Sequence, residues 1–288
     1  MQAIDRAITP TLAVYEYHCD AGPQDAPFAE MHSEYSMSYV QRGSFGYRTG
    51  GKLHELVAGS LLVGYPGDEY MCTHEHHCRG DVCLSFKLAP ALVDELGDDR
   101  DAWRVGGVPP VADLMVMGEL AQAVADGRSD VGFDEIAYAF TSRFIATVRG
   151  VKACAPKSRL QDRRRVIDVA YWIEDNSHED IDLDTAARTA GMGSYHLLRT
   201  FARVLGVTPH QYLIRSRLRH AARLLTDEGS TITQIAGAVG FADLSNFIRT
   251  FGRAAGMSPQ EFRRAARGER GEEGEERRAT KKRKKDQG

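Results

Sequence analysis

Residues 231–264 read TITQIAGAVGFADLSNFIRTFGRAAGMSPQEFRR, and the same pattern has already occurred once upstream. The earlier copy gives AARTAGM from Ala186 and LLRTFARVLGVTP from Leu197. The later one gives IAGAVGF from Ile235 and FIRTFGRAAGMSP from Phe247. Each holds Ala-x-x-x-Gly (Ala187/Gly191, Ala236/Gly240) and then R-T-F-x-R-x-x-G-x-[TS]-P, starting at Arg199 and Arg249. The offset is 49 residues before the turn and 50 after it, so the second copy carries one extra residue between its halves.

Each copy has the anatomy of a helix-turn-helix. A capping residue opens a short helix, Asp182 or Asp184 in the first copy and Thr231 or Thr233 in the second. Ala187 and Ala236 allow a close crossing, and Gly191 and Gly240 stand where the chain must turn. Ser194 and Asp243 are expected to cap the second helices. Their apolar faces are Leu197, Phe201 and Leu205, and Phe247, Phe251 and Ala254 or Ala255. Gly206 and Gly256 end them, with Pro209 and Pro259 following. A helix from about Gln211 to Leu225 joins the units; its Arg215, Arg217, Arg219 and Arg223 are expected to divide between phosphate contacts and a solvated face. Helical solenoids need three or more units. Two copies fit paired DNA readers, in which the second helix of each unit presents its N-terminal residues to base edges.

Residues from about 163 to 266 resemble the C-terminal DNA-binding domain of the AraC/XylS family of bacterial transcription regulators, carried by IAGAVGF, NFIRTF and GMSPQEFR in order and at the family's spacing. The resemblance implies two recognition helices in successive major grooves of double-stranded promoter DNA, RNA polymerase as a further partner, and an effector-controlled N-terminal domain. It places the DNA contacts at Tyr195, Leu198 and Arg199, with His196 adjacent, and at Leu244, Ser245, Asn246 and Arg249. Arginine can pair bidentately with guanine, asparagine with adenine, and an apolar group can meet the thymine methyl. Backbone amides at the helix starts can donate to phosphate. Each residue has a plainer use: Arg199 and Arg249 as ion-pair partners, His196 in packing or capping, Leu198 in no more than a methyl contact.

Charge divides along the chain in the same sense. Residues 1–156 sum to −10, residues 157–267 to +5 and the last 21 to +2, for a net −3. An acidic front and an Arg-rich back suggest two domains, the second with a polyanionic partner. With 288 residues, 42% apolar and 27% charged, the chain is ordinary for a globular protein of one large or two smaller domains. No apolar run is long enough to span a bilayer, and the N-terminus, MQAIDRAITPTL, lacks a signal pattern. A cytoplasmic protein follows, in which the five cysteines are thiols or ligands rather than disulfides.

From about residue 30 to 88, short alternating runs are separated by Gly43, Gly50-Gly51, Gly59, Gly67-Asp68 and Gly80-Asp81, the pattern of a small barrel or sandwich. Helical periodicity then covers Val111–Val124 and Phe133–Val148. The expected fold is therefore α+β: a cupin-like β-barrel with trailing helices over 1–150, a linker over 151–162, an all-α double helix-turn-helix domain over 163–267, and a disordered charged tail over 268–288. The Phe133–Val148 stripe serves either as a homodimer seam or as intradomain packing.

One motif stands apart. Residues 72–78 read CTHEHHC, with Cys83 and His32 within reach. If 70–76 is a strand, Tyr70, Cys72, His74 and His76 share a face. With Cys78 or Cys83 returned by the Gly80-Asp81 turn, a four-coordinate site for Zn²⁺ or another soft metal is possible. The alternatives are a thiol sensor, polar lining of an effector pocket, or a solvated hairpin whose Cys72 and Cys83 are merely buried as small apolar residues. A cupin-type metalloenzyme fused to a DNA-binding domain is the rival reading. Against it, the full cupin histidine spacing is not met after His76, and no nucleophile–base pair or phosphate loop is found.

Overall fold

The computed structural model describes residues 1–75, 77, 79–96, 100–149, 159–227 and 229–268, except for the side chain of Tyr195. The strands are β1 (Gln2–Ile8), β2 (Leu12–Cys19), β3 (Ala29–Met31), β4 (Tyr35–Thr49), β5 (Lys52–Val57), β6 (Leu61–Gly64), β7 (Glu69–Thr73), β8 (Asp81–Leu88) and β9 (Gly107–Val108). Between β8 and β9 lie α1 (Pro90–Glu95) and α2 (Arg100–Trp103). After β9 come α3 (Ala112–Ala125), α4 (Phe133–Val148), α5 (Leu160–Asn176), α6 (Leu183–Thr189) and α7 (Ser194–Leu205). The chain continues through α8 (Pro209–Thr226), α9 (Ile232–Ala238), α10 (Leu244–Ala255) and α11 (Pro259–Ala266).

All strand pairs are antiparallel. One path runs β1-β2-β8-β4-β6-β9, and β3-β7-β4-β5 branches from it through the shared strand β4. The expected cupin-like barrel is thus not closed by hydrogen bonds: β1 and β9 remain as edges of an antiparallel N-terminal sheet. The expected turn at Gly43 is also absent. β4 runs through it for 15 residues, pairing first with β8 and β6 and then with β5 and β7. The register slips between Val40 and Arg42, and Gly43 has φ +81° with Gly80 pressed against it. A bulge of this kind bends a long strand from one sheet to the next. Strands β1 and β2 lie outside the span read as β from sequence.

Helices α3 and α4 cover the first sheet, their apolar stripes meeting Tyr39 and Phe86. The α4 stripe is used inside the chain: the Phe140 ring lies 6.3 Å from that of Tyr39 and 6.0 Å from that of Phe86, and Phe144 lies 5.3 Å from Trp103. Of the two uses open to that stripe, intradomain packing is the one observed. Gly118 of α3 sits where an added Cβ would fall 2.5 Å from the Tyr39 ring, so the absence of a side chain there brings sheet and helix together.

The core does not divide at residue 150. Leu218, Ala221, Ala222 and Leu225 of α8, with Phe247 and Phe251 of α10, belong to the cluster that holds Tyr39, Phe86 and Phe140. A second cluster unites α5, α6 and α7 with Tyr212 and Leu213 from the start of α8, and it includes Val57 of β5. Helix α8 therefore packs into both. Helix α5 begins at Leu160, inside the segment expected to be a linker, while residues 151–158 lie outside the described residues. The charged tail beyond Gly268 lies outside them as well. Among the described residues no helix is long and apolar enough to cross a membrane.

Candidate nucleic-acid interface

The two helix-turn-helix units are α6–α7 and α9–α10. Asp182 and Thr231 are the capping residues of the first helices, accepting from the amides of Thr185 and Gln234. Thr231 and Gln234 complete a reciprocal capping box. Gly206 and Gly256 close α7 and α10 in the left-handed conformation, and Pro209 and Pro259 begin the next helices. The buried faces are those read from the repeat: Leu197, Phe201 and Leu205 on α7, and Phe247, Phe251, Ala254 and Ala255 on α10.

The second helices start differently. Asp243 accepts from the amides of Ser245 at 3.2 Å and Asn246 at 2.8 Å, so the first turn of α10 is already occupied. Ser194 does not cap α7; it is the first helical residue and its hydroxyl bonds Asp184, while the capping position is Gly193, with no side-chain acceptor. Of these two helices, α7 has no side-chain cap at its start, whereas two leading amides of α10 are taken up by Asp243.

Ser245, Asn246 and Arg249 are exposed on α10, as are Ile248 and Arg253. Arg249 Nη2 donates to Asn246 Oδ1 at 3.0 Å, and Thr250 Oγ1 donates to the same oxygen at 3.3 Å. Asn246 thus holds Arg249 in place while its own amide nitrogen remains available. Leu244 is half-buried and packs on the core edge. On α7, His196 and Arg199 are exposed and Leu198 is half-buried. His196 Nε2 stands 3.7 Å from Asp162, and Arg199 has no hydrogen-bond or ion-pair partner among the described residues. The Tyr195 side chain lies outside the described residues.

The arginines of α8 are not a phosphate-binding face. Arg215 donates to the carbonyl of Pro110, and Arg217 to those of Ser177 and Glu179, both at 2.7 Å. Arg219 is wholly buried, paired with Glu174 and 3.8 Å from Glu119, and donates to the Gln41 carbonyl at 3.0 Å. Arg223 donates to both oxygens of Glu119, whose Oε1 also accepts from Tyr39 at 2.7 Å. Burial lowers the pKa of Arg219 and raises that of Tyr39. Buried guanidinium groups need such partners. The sequence marks these arginines as basic but does not reveal Glu119 and Glu174, their acceptors.

The CTHEHHC hairpin is rearranged relative to the expectation. Strand β7 ends at Thr73, so the alternation cannot carry through to His76. His76 and Cys78 lie outside the described residues. His77 is buried, with Nδ1 2.6 Å from Ser44 Oγ and Nε2 3.2 Å from Glu55, and Ser44 also bonds Tyr171 of α5. His74 turns instead to Asp81 and Cys19, and its hydrogen bonds to those two raise its pKa to about 9. Cys72 and Cys83 line a cavity together with His74, and burial holds both thiols well above the usual range. His32 packs on Tyr70 with ring centroids 4.1 Å apart, and burial lowers its pKa to about 4. Cys19 and Asp81 carry no ligand signal in the sequence, because Cys19 ends a strand upstream of the alternating runs and only the β2–β8 register sets it opposite Asp81.

A family model for a helix-turn-helix domain matches residues 186–265. The HTH-type transcriptional activator RhaS of Escherichia coli O139:H28 is 25% identical over 259 residues, 84% of this chain and 90% of that protein. Among solved structures, the DNA-binding domain of the global transcriptional factor AdpA, crystallised with a target DNA, is 31% identical. It covers 38% of this chain and 97% of its own, with a TM-score of 0.35. A probable AraC family transcriptional regulator from Rhodopseudomonas palustris is also 31% identical, covering 36% of this chain and 97% of its own, with a TM-score of 0.34. These relatives are named as regulators, and the metalloenzyme alternative gains no support from them. With its duplicated helix-turn-helix and its likeness to an activator over most of its length, the chain belongs to the AraC/XylS family of DNA-binding transcription regulators.

Proposed function

We infer that the protein reads a bipartite promoter site, with α7 and α10 in successive major grooves, under control of an effector held by the N-terminal sheet. The observation that carries the reading is the equivalent placement of Arg199 and Arg249, both exposed on the second helix of a helix-turn-helix whose opposite face is buried. Arg249, Asn246 and Ser245 are the base readers of the second unit. Arg199 and the uncapped start of α7 serve the first, with Tyr195, His196 and Leu198 beside them. Control by an effector is supported by a cavity of about 400 Å³ lined by Tyr17, His32, Phe45, Tyr70 and Lys87, among others, which mixes aromatic faces with polar groups.

The test is titration of promoter fragments with purified protein at several salt concentrations. Specific binding should weaken steeply with salt, as phosphate contacts release counterions. Arg249→Ala should cost about 1–3 kcal/mol on the cognate site and flatten discrimination at the bases it reads. Equal affinity of the wild type for cognate and scrambled fragments would refute the reading.

A further inference from the structure

The CTHEHHC hairpin is not used by the helix-turn-helix units, and its surroundings form a site of their own. Cys19, the last residue of β2, is the direct cross-strand partner of Asp81, the first of β8. Such partners project to the same face of a sheet, and both line the 400 Å³ cavity. His74 arrives from the branch of the sheet that contains β7. Its Nε2 lies 3.4 Å from Asp81 Oδ2 and 3.8 Å from Cys19 Sγ. One donor atom from each residue falls within 4.8 Å of the other two.

We propose that Cys19, His74 and Asp81 bind a thiophilic divalent cation of the Zn²⁺ type. Bond lengths of about 2.3 Å to sulfur and 2.0–2.2 Å to nitrogen or oxygen imply tetrahedral ligand-to-ligand edges of roughly 3.3–3.6 Å. The distances of 3.4 and 3.8 Å are within a few tenths of an ångström of those edges. The donor set selects the ion: a thiolate and an imidazole suit zinc, whereas Mg²⁺ and Ca²⁺ prefer all-oxygen shells. Thiolate and carboxylate together balance the charge of the ion, and the imidazole adds a neutral donor. On binding, Sγ–H of Cys19 and any proton on His74 Nε2 pass to solvent, and the two lone pairs so freed form the bonds to the metal. The fourth position opens onto the cavity, where Cys83 Sγ lies 3.6 Å from Asp81 Oδ1.

This set shares only His74 with the ligands expected from the hairpin sequence, Cys72, His74, His76, Cys78 and Cys83. Cys19 replaces the cysteines of the motif because the β2–β8 register brings it opposite Asp81. The position also has a structural consequence. Cys19 and Asp81 border a second cavity, of about 260 Å³, whose far wall includes Tyr171 and Glu174 of α5. A bound ion would tie together the ends of β2 and β8 beside α5, which packs on the first helix-turn-helix unit.

The test uses full-length reduced protein stripped with chelator, titrated with Zn²⁺ against a chromophoric competitor and with Co²⁺ as a spectroscopic stand-in. The expected result is one stoichiometric ion, intense tetrahedral d–d bands, a thiolate-to-cobalt charge-transfer band, and a higher melting temperature with Zn²⁺. Cys19→Ser should remove the charge-transfer band and the thermal shift. Asp81→Asn, nearly isosteric, should weaken Zn²⁺ by at least roughly 10–100-fold, which keeps the test decisive if one variant folds poorly. A hydrogen-bonded triad that takes up no stoichiometric metal, an octahedral cobalt spectrum, or unchanged binding in a folded Cys19→Ser protein would overturn the proposal.

Discussion

Arg223 Nε lies 2.5 Å from Glu119 Oε2, so the helix joining the two helix-turn-helix units is fastened to a carboxylate of the N-terminal region. Glu119 is fully buried, and Tyr39 donates to its other oxygen. Arg219, also buried, stands between Glu119 and Glu174. One carboxylate thus links the sheet, α3 and α8.

Removing that carboxylate leaves a buried guanidinium without one of its counter-charges. Glu119→Ala should destabilise the protein by about 3–5 kcal/mol, the usual consequence of breaking a buried pair from one side. Arg223→Met should also destabilise, because it leaves the buried Glu119 with only Arg219, 3.8 Å away, as a cation partner among the described residues. In a double-mutant cycle followed by denaturant unfolding, the two changes should couple by about 0.5–3 kcal/mol. Strict additivity would show that the contact does not fasten the two regions.

The unequal starts of α7 and α10 give a prediction for DNA binding. Gly193 has open space around a built Cβ, so Gly193→Asp is sterically accommodated and supplies the missing cap. Stability should rise by a few tenths of a kcal/mol or stay level. Promoter affinity should fall, because a carboxylate would occupy the amides offered to phosphate and repel it. Melting and mobility-shift measurements on the same preparation separate the two effects; unchanged affinity would mean that the start of α7 does not meet the backbone.

At Asp243 the expectation reverses. That side chain already holds two amides of α10, and Asp243→Ala should lower stability by about 1 kcal/mol, as lost caps do. Thermal denaturation would reveal it, and a loss indistinguishable from zero would show that the cap is idle.

Acid should weaken the fold through His32. Its pKa is about 4 when folded, against an ordinary value of about 6.5, so folding favours the neutral ring. The sign follows from proton counting: the unfolded chain binds the proton first, so the contribution is full above about pH 6.5 and is lost as pH falls towards 4. The slope from this one group is at most about 1.4 kcal/mol per pH unit. His32→Phe, compared with wild type by denaturant midpoints across that range, should flatten the profile; identical profiles would exclude His32 as a source.

The C-terminal half was legible because its signals are local. Capping residues, helix-ending glycines and the apolar spacing each act within a turn or two, and Thr231, Asp243, Phe247 and Gly256 fall where the repeat puts them. The N-terminal region depends on register and on partners distant in sequence. Nothing near Cys19 shows that it faces Asp81, and nothing in the α8 arginines shows that buried glutamates await them. Gly43 misled for a related reason: positive φ serves a bulge inside a long strand as well as a turn between two. Hydrogen-bond closure of a sheet is likewise set by which edges meet, which alternation alone does not encode.

The most direct test of two-motif recognition is selection of binding sites from a random DNA pool by wild type, Arg199→Ala and Arg249→Ala proteins. The wild type should enrich a two-part site with its halves about one helical turn apart. Each variant should lose sequence preference in one half and keep it in the other. Failure of the wild type to enrich any site, or loss of the same half by both variants, would contradict recognition by two separate helices.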